Sequence, residues 1–177
     1  VAKQGNEVDA RRNYAETLWH RGAKADAIAQ LELARKLVGC DPALNVRTGE
    51  MYLEMGNSEV TARMVDEALR ADPKCAAAWA LRGRIARASG NPRDALSDFQ
   101  RSLGYAPGDP QVSLLIAETY RQLNEPEQAY AALQTIADRY PQGEVPQHVF
   151  QLPAEHLLLG GGRQVLALQF RQAVGKH

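Results

Sequence analysis

Apolar residues recur at helical spacing along most of the chain, and polar residues separate them. The clearest stretch places four apolar side chains on one face of a predicted helix: Ala95, Leu96, Phe99 and Leu103. Pro92 stands where this helix would begin, because its fixed φ suits the first helical position. Pro107 ends the pattern, since a proline inside a helix removes a hydrogen bond and clashes with the preceding turn. The pattern therefore predicts a helix between these two prolines.

The pattern returns every 34 residues, the interval that separates Pro73, Pro107 and Pro141. A fixed period of this length indicates an array of similar supersecondary units. We expect each unit to consist of two amphipathic helices joined by a short turn. The sequence thus predicts a single domain over residues 1–177, with four units near 8–41, 42–75, 76–109 and 110–143.

Matched positions in these units resemble the tetratricopeptide repeat. In the third unit the matching residues are Trp79, Gly83, Ala95, Phe99 and Pro107, with Gly90 between the helices. Two positions depart from the family pattern, because Arg82 stands where an aliphatic residue is usual and Thr61 replaces the usual alanine. The resemblance implies an all-α fold, a right-handed α-solenoid of four helix-turn-helix units.

Residues 147–177 are predicted to form a degenerate fifth hairpin that caps the last full unit. Five residues keep the spacing of a repeat although prolines and glycines interrupt the region: Leu157, Gly161, Leu166, Phe170 and Ala173. Terminal repeats are commonly atypical because one of their sides faces water. The alternative is a tail that docks on a partner.

Small residues are expected where the helices approach most closely. Gly49 and Gly83 occupy first helices of their units, at positions where a larger side chain would hold the partner helix away. Large residues such as Tyr52 and Phe99 fill the gaps between them, as dense packing requires. Enlarging Gly83 is therefore predicted to overpack the interface.

Composition limits the classes of partner. The chain has 21 Lys and Arg against 21 Asp and Glu, so its formal charge is zero. A neutral chain gives no electrostatic reason to expect nucleic acid or an anionic membrane as the partner. No apolar run approaches the length of a membrane span. The composition leaves the cellular compartment open.

Residue types with catalytic or metal-binding chemistry do not form a recognised pattern. The four histidines share no metal-ligand spacing, and the run of three glycines at 160–162 lacks the strand and the Lys-Ser/Thr of a phosphate-binding loop. Nothing pairs a nucleophile with a base. Cys40 and Cys75 are expected to be free thiols, since stacked repeats hold them further apart than a disulfide allows. We therefore expect no cofactor, no metal site and no enzymatic activity.

The resemblance implies where a partner would bind, because the first helix of each repeat lines the concave side of such a superhelix. Outward positions carried over from the family give the candidate groove residues Arg12, Glu16, Trp19, Glu50, Glu54, Arg84, Arg87, Glu118 and Arg121. Family members that hold the C-terminal carboxylate of heat-shock chaperones need asparagines at the positions of Glu16 and Glu50. Glutamates there would repel a carboxylate, so this kind of partner is excluded.

The candidate groove is acidic in its first half and basic in its second half. Such a face suits a protein or an extended peptide of mixed charge, and Trp19 is the expected aromatic anchor. Two simpler alternatives stay open. In the first, the charges pair with one another across neighbouring helices, since surface ion pairs are common and individually weak. In the second, residues 1–8 rather than a partner cover Trp19.

These observations predict a non-enzymatic scaffold that binds a partner protein or peptide in its concave groove. One alternative is that the repeats form a regulatory or localising arm of a larger enzyme or of a secretion or envelope assembly. Another is a structural solenoid that associates with itself, for example as a homodimer, because exposed stacking surfaces can pair between chains. Recognition of RNA by helical repeats ranks last, because the chain has no basic stripe.

Overall fold

The computed structural model describes the backbone of residues 2–139 and the side chains of residues 5–136. These residues form eight α-helices and no strand: α1 Ala2–His20, α2 Lys24–Val38, α3 Pro42–Glu54, α4 Ser58–Ala71, α5 Ala76–Ala88, α6 Pro92–Tyr105, α7 Pro110–Gln122 and α8 Pro126–Arg139. The all-α prediction is confirmed. The predicted fifth hairpin at 147–177 lies outside the described residues.

Consecutive helices pair into hairpins, α1 with α2, α3 with α4, α5 with α6, and α7 with α8. The chain divides into two compact units, residues 1–105 and residues 106–177. In the first unit, which we call unit one, α2 packs on α3, and α5 packs on both α3 and α4. Unit one is therefore a stack of three hairpins. The repeat borders and the single domain inferred from the sequence stay predictions.

Each hairpin reverses through a residue with a left-handed backbone, and these residues are spaced at the period of the sequence. They are Gly22 with φ 82°, Gly56 with φ 79°, Gly90 with φ 79° and Asn124 with φ 59°. In the third hairpin the amide of Asn91 donates to the carbonyl of Ala86 at 2.9 Å, which closes the helix end in the manner of a Schellman motif. Asparagine tolerates this conformation better than most residues, so it replaces glycine in the fourth turn.

Side-chain caps fix several helix starts. Asp41 accepts a hydrogen bond from the amide of Leu44 at 3.0 Å, and Asp109 accepts one from the amide of Gln111 at 2.9 Å. Each cap precedes a proline at the first helical position, Pro42 in α3 and Pro110 in α7. The repeat period therefore fixes the residues at which the helices begin as well as the number of helices.

Helices α5 and α6 approach each other closely at Gly83 and Phe99. Phe99 is fully buried, and a Cβ built on Gly83 would lie 2.6 Å from its Cε1 atom. A Cβ on Gly49 would lie 3.0 Å from Leu81 Cδ2 and 3.3 Å from Met64 Cβ. The predicted close contacts at both glycines are confirmed.

Both departures from the repeat pattern have a structural reason. The buried Thr61 hydroxyl lies 3.1 Å from the carbonyl oxygen of Gly49 and 2.9 Å from that of Asn57, so its polar atom is satisfied. Arg82 donates from Nε and Nη2 to the two carboxylate oxygens of Asp98 at 2.9 and 2.6 Å. Its guanidinium lies 4.1 Å from the ring centre of Trp79. Each residue gains polar contacts that an aliphatic side chain would lack.

Gly83→Ala is expected to destabilise the protein by about 1–3 kcal/mol, because the new methyl group meets the buried ring of Phe99. Urea unfolding followed by circular dichroism measures this change. Gly104→Ala is the matched control, since Gly104 lies on α6 with no atom within 4 Å of a built Cβ. Equal stability of the two variants would contradict the assigned contact.

Candidate functional site

The predicted groove residues fall on the first helices of the hairpins. Unit one holds seven of them, on α1, α3 and α5: Arg12, Glu16, Trp19, Glu50, Glu54, Arg84 and Arg87. Glu118 and Arg121 lie on α7, in the second unit. We call the side of unit one formed by Glu16, Arg47, Glu50 and Arg84 the first-helix face.

Arg47 is the centre of the first-helix face. Its Nε and Nη2 atoms donate to the two carboxylate oxygens of Glu16 on α1, both at 2.6 Å. Its Nη1 atom donates to Glu50 Oε2, one turn further along α3, at 2.9 Å. A guanidinium that forms paired hydrogen bonds with a carboxylate in this way fixes the geometry as well as the charge. Arg47 therefore joins α1 to α3.

Glu50 extends the arrangement to α5. Its Oε1 atom lies 3.8 Å from Arg84 Nη1, within ion-pair range but beyond hydrogen-bonding distance. The four side chains thus alternate in sign across three helices. About a third of each remains exposed, from 29% for Arg47 to 33% for Glu16 and Arg84.

The pairing changes the acid–base properties of both partners at the α1 end. The hydrogen bonds from Arg47 hold the pKa of Glu16 below its ordinary value, against the opposing effect of partial burial. The same hydrogen bonds raise the pKa of Arg47. Glu16 is therefore ionised and paired at neutral pH.

Arg47 is absent from the sequence-based site, although it decides the electrostatics there. Its position three residues before Glu50 is a signal for an intrahelical pair. The stronger contact with Glu16 depends on how α1 and α3 lie together, which no local pattern encodes. In the structure, Glu16, Glu50 and Arg84 pair with charges on neighbouring helices. This pairing is the simpler alternative to a role in binding a partner.

Trp19 is half-buried at the C-terminal end of α1. Its ring packs against the core cluster of the first hairpin, and Lys24 Nζ lies 5.0 Å from the ring centre. Helix α1 is continuous from Ala2 to His20, so Val8 lies about 16 Å away along the axis. Residues 2–8 of α1 therefore do not fold back over Trp19, which stays partly exposed.

The remaining candidate residues differ in exposure. Arg12 is exposed and pairs with Asp9 on its own helix at 2.9 Å. Glu54 and Arg121 are exposed, whereas Arg87 and Glu118 are half-buried. The assignment of this whole set to a binding groove stays a prediction.

A second polar cluster joins α2, α3 and α4. Arg35 donates from Nε to Oδ1 of the fully buried Asn45 at 2.6 Å, from Nη1 to Glu32 at 2.8 Å, and from Nη2 to Glu67 at 2.6 Å. An open cavity of about 400 Å³ lies beside it, with Cys40 in its wall. Each of the three guanidinium nitrogens of Arg35 donates one hydrogen bond within the cluster, so the cluster joins neighbouring hairpins.

Cys40 and Cys75 are free thiols, as predicted. In the described part of the chain, His, Cys, Asp and Glu side chains form no group of three that could hold a metal ion. Among residues 2–139, no helix combines the length and the hydrophobicity needed to cross a bilayer. The chemistry of the first-helix face is that of ion pairing and hydrogen bonding.

Two sequence models of the tetratricopeptide repeat match the chain, one over residues 47–91 and the other over residues 86–147. Together they cover residues 47–147, which include most of the predicted second repeat and all of the third and fourth. A search of curated proteins finds no match.

Solved structures of MamA resemble the chain in fold. MamA (41 to the end) from Desulfovibrio magneticus RS-1 gives a TM-score of 0.65 at 19% identity, over 97% of this chain and 91% of that chain. Another MamA crystal structure gives 0.64 at 16% identity, over 90% of this chain and 92% of that one, and a third gives 0.62 at 14%, over 90% and 82%. At these identities the likeness shows the fold alone, which is of the predicted α-solenoid class.

Glu16→Gln is expected to lower the free energy of unfolding at pH 7 by about 1 kcal/mol, because the exchange removes a partly exposed ion pair between helices. The pKa of Glu16 is lowered by folding, so its contribution is present above the ordinary glutamate value and is lost as the pH falls through the folded pKa. The difference between parent and variant should therefore vanish in acid. Urea unfolding between pH 7 and pH 3 measures it.

Glu54→Gln is the control for this experiment, since Glu54 is exposed at the end of the same face. We expect no measurable change in the stability of this control at pH 7. A Glu16→Gln difference that persisted unchanged at pH 3 would argue against the Arg47 ion pair as its cause.

Proposed function

Since the chain belongs to the tetratricopeptide repeat family, we propose that it is a non-enzymatic scaffold that binds a partner protein or an extended peptide on the first-helix face. Repeats of this family support protein interaction in general, and their fold is typically non-enzymatic. The observation that carries the proposal is the row of partly exposed, alternating charges on α1, α3 and α5.

Preorganisation supports the use of this face for binding. Arg47 holds Glu16 and Glu50 in fixed positions before any partner arrives, at distances of 2.6 to 2.9 Å. Side chains that are already ordered lose little further entropy when a partner binds. A rigid charged face therefore selects partners by the placement of their charges.

The accessible part of Trp19 offers an apolar contact at one end of the face. Aromatic residues contribute strongly to protein interfaces when a partner covers them completely. Arg84 and Arg87 offer cationic contacts on α5. An extended segment of mixed charge that crosses α1, α3 and α5 would meet all of these groups.

A clamp for a C-terminal chaperone carboxylate forms no part of the proposal. Glu16 and Glu50 stand at the positions where such clamps need asparagine, and ionised glutamates only accept hydrogen bonds. Their carboxylates are already paired with Arg47. In this proposal the partner therefore binds the face with residues inside its chain and not with its C-terminus.

The test is quantitative capture of partners from the native source with three forms of the full chain. The double variant Arg84→Glu, Arg87→Glu is expected to lose the partner that the parent retains, because it reverses two charges on the proposed face. The control is Arg63→Glu, Arg70→Glu, which makes the same change in net charge at exposed positions of α4. Circular dichroism confirms that each form is folded.

Mass spectrometry of the retained proteins gives the readout. Loss in the first variant and retention in the control would support binding on the first-helix face. A partner retained equally by all three forms would refute this location.

A further inference from the structure

Arg47 and Arg84 on the first-helix face differ in how closely carboxylates hold them. Arg47 has Nε, Nη1 and Nη2 within 2.6 to 2.9 Å of carboxylate oxygens. Among the described residues, Arg84 approaches the carboxylate of Glu50 alone, at 3.8 Å, and Arg47 already occupies the other oxygen of that carboxylate. Within this part of the chain Arg84 therefore has a nearby negative charge but no carboxylate within hydrogen-bonding distance.

The near neighbours of Arg84 on α5 supply no acidic side chain. The residues four positions before and after it are Ala80 and Ala88, which share its helical stripe and carry only methyl groups. Leu81 and Arg87, three positions away, supply no carboxylate either. The side chain of Arg84 is 33% exposed, so part of it is accessible to solvent.

Glu16 is not open in the same way, because both of its carboxylate oxygens already accept short hydrogen bonds from Arg47. Glu50 accepts from Arg47 through Oε2, and its Oε1 faces Arg84 at 3.8 Å. Glu54 is the exposed acid, one turn beyond Glu50 on α3. It disfavours a long acidic run in a partner and permits a single well-placed carboxylate at Arg84.

From these contacts we infer that Arg84 binds an aspartate or glutamate side chain of an internal segment of the partner. The inference rests on the proposed function and adds to it the chemical group that the face recognises. The incoming carboxylate pairs with the guanidinium fork through two N–H groups, as is usual for arginine and carboxylates. The contact with Glu50 at 3.8 Å is weak enough to be replaced.

A displayed library of random 12-residue peptides, fused at their C-termini, is the probe. Selection on the full chain is expected to enrich aspartate or glutamate at one position. The best peptide is then synthesised with an amidated C-terminus, and its Kd is measured by isothermal titration. Amidation removes the terminal carboxylate, so retained binding assigns recognition to the side chain.

Three variants test the residue. Arg84→Gln should weaken binding of this peptide roughly 10- to 100-fold, the usual effect of losing hydrogen bonds to a charged group. Arg63→Gln, on the exposed side of α4, should leave Kd unchanged. Glu50→Gln should tighten binding a few-fold, because it removes the negative charge that competes for Arg84.

The outcomes separate the two proposals. Failure to enrich any peptide would count against peptide binding itself, and hence against the proposed function. Enrichment of basic or uncharged residues, or an unchanged Kd in Arg84→Gln, would overturn only the role of Arg84. Enriched acidic peptides that depend on Arg84 would establish it.

Discussion

The approach of α5 to α6 at Gly83 and Phe99 sets the geometry on which the rest of unit one depends. With a Cβ position 2.6 Å from the aromatic ring, the two helices lie as close as backbone against side chain allows. The neighbouring glycine, Gly49, allows a similar approach of α3 to Leu81 on α5. Such contacts fix the distance between neighbouring helices, because protein interiors are densely packed.

Ion pairing on the first-helix face follows from that packing. Glu16 and Arg47 are 31 positions apart in sequence and meet through hydrogen bonds of 2.6 Å. The two side chains come from different hairpins, so this pair forms only when the hairpins stack in unit one. The apolar interior of unit one and its charged face are therefore parts of one arrangement, in which packing positions the charges that a partner would meet.

The sequence predicts the periodic features well and the contacts between repeats poorly. Pro42 and Pro110 mark helix starts, Gly90 marks a turn, and Gly83 marks a close contact, because each reflects a local backbone or steric requirement. The partner of Arg47 depends instead on the relative placement of two helices from different hairpins. The same is true of Arg35 and the buried Asn45, which no helical pattern would bring together.

The cluster at Arg35 also bears on whether the repeats are interchangeable. Positions one and two periods after Arg35 hold Leu69 and Leu103, so the polar cluster does not recur along the array. A shuffled chain with the third hairpin ahead of the second would bury Asn45 opposite leucine, and an unpaired buried amide costs about 1–3 kcal/mol. Recombination among the units would thus be penalised, which gives this array a preferred serial order.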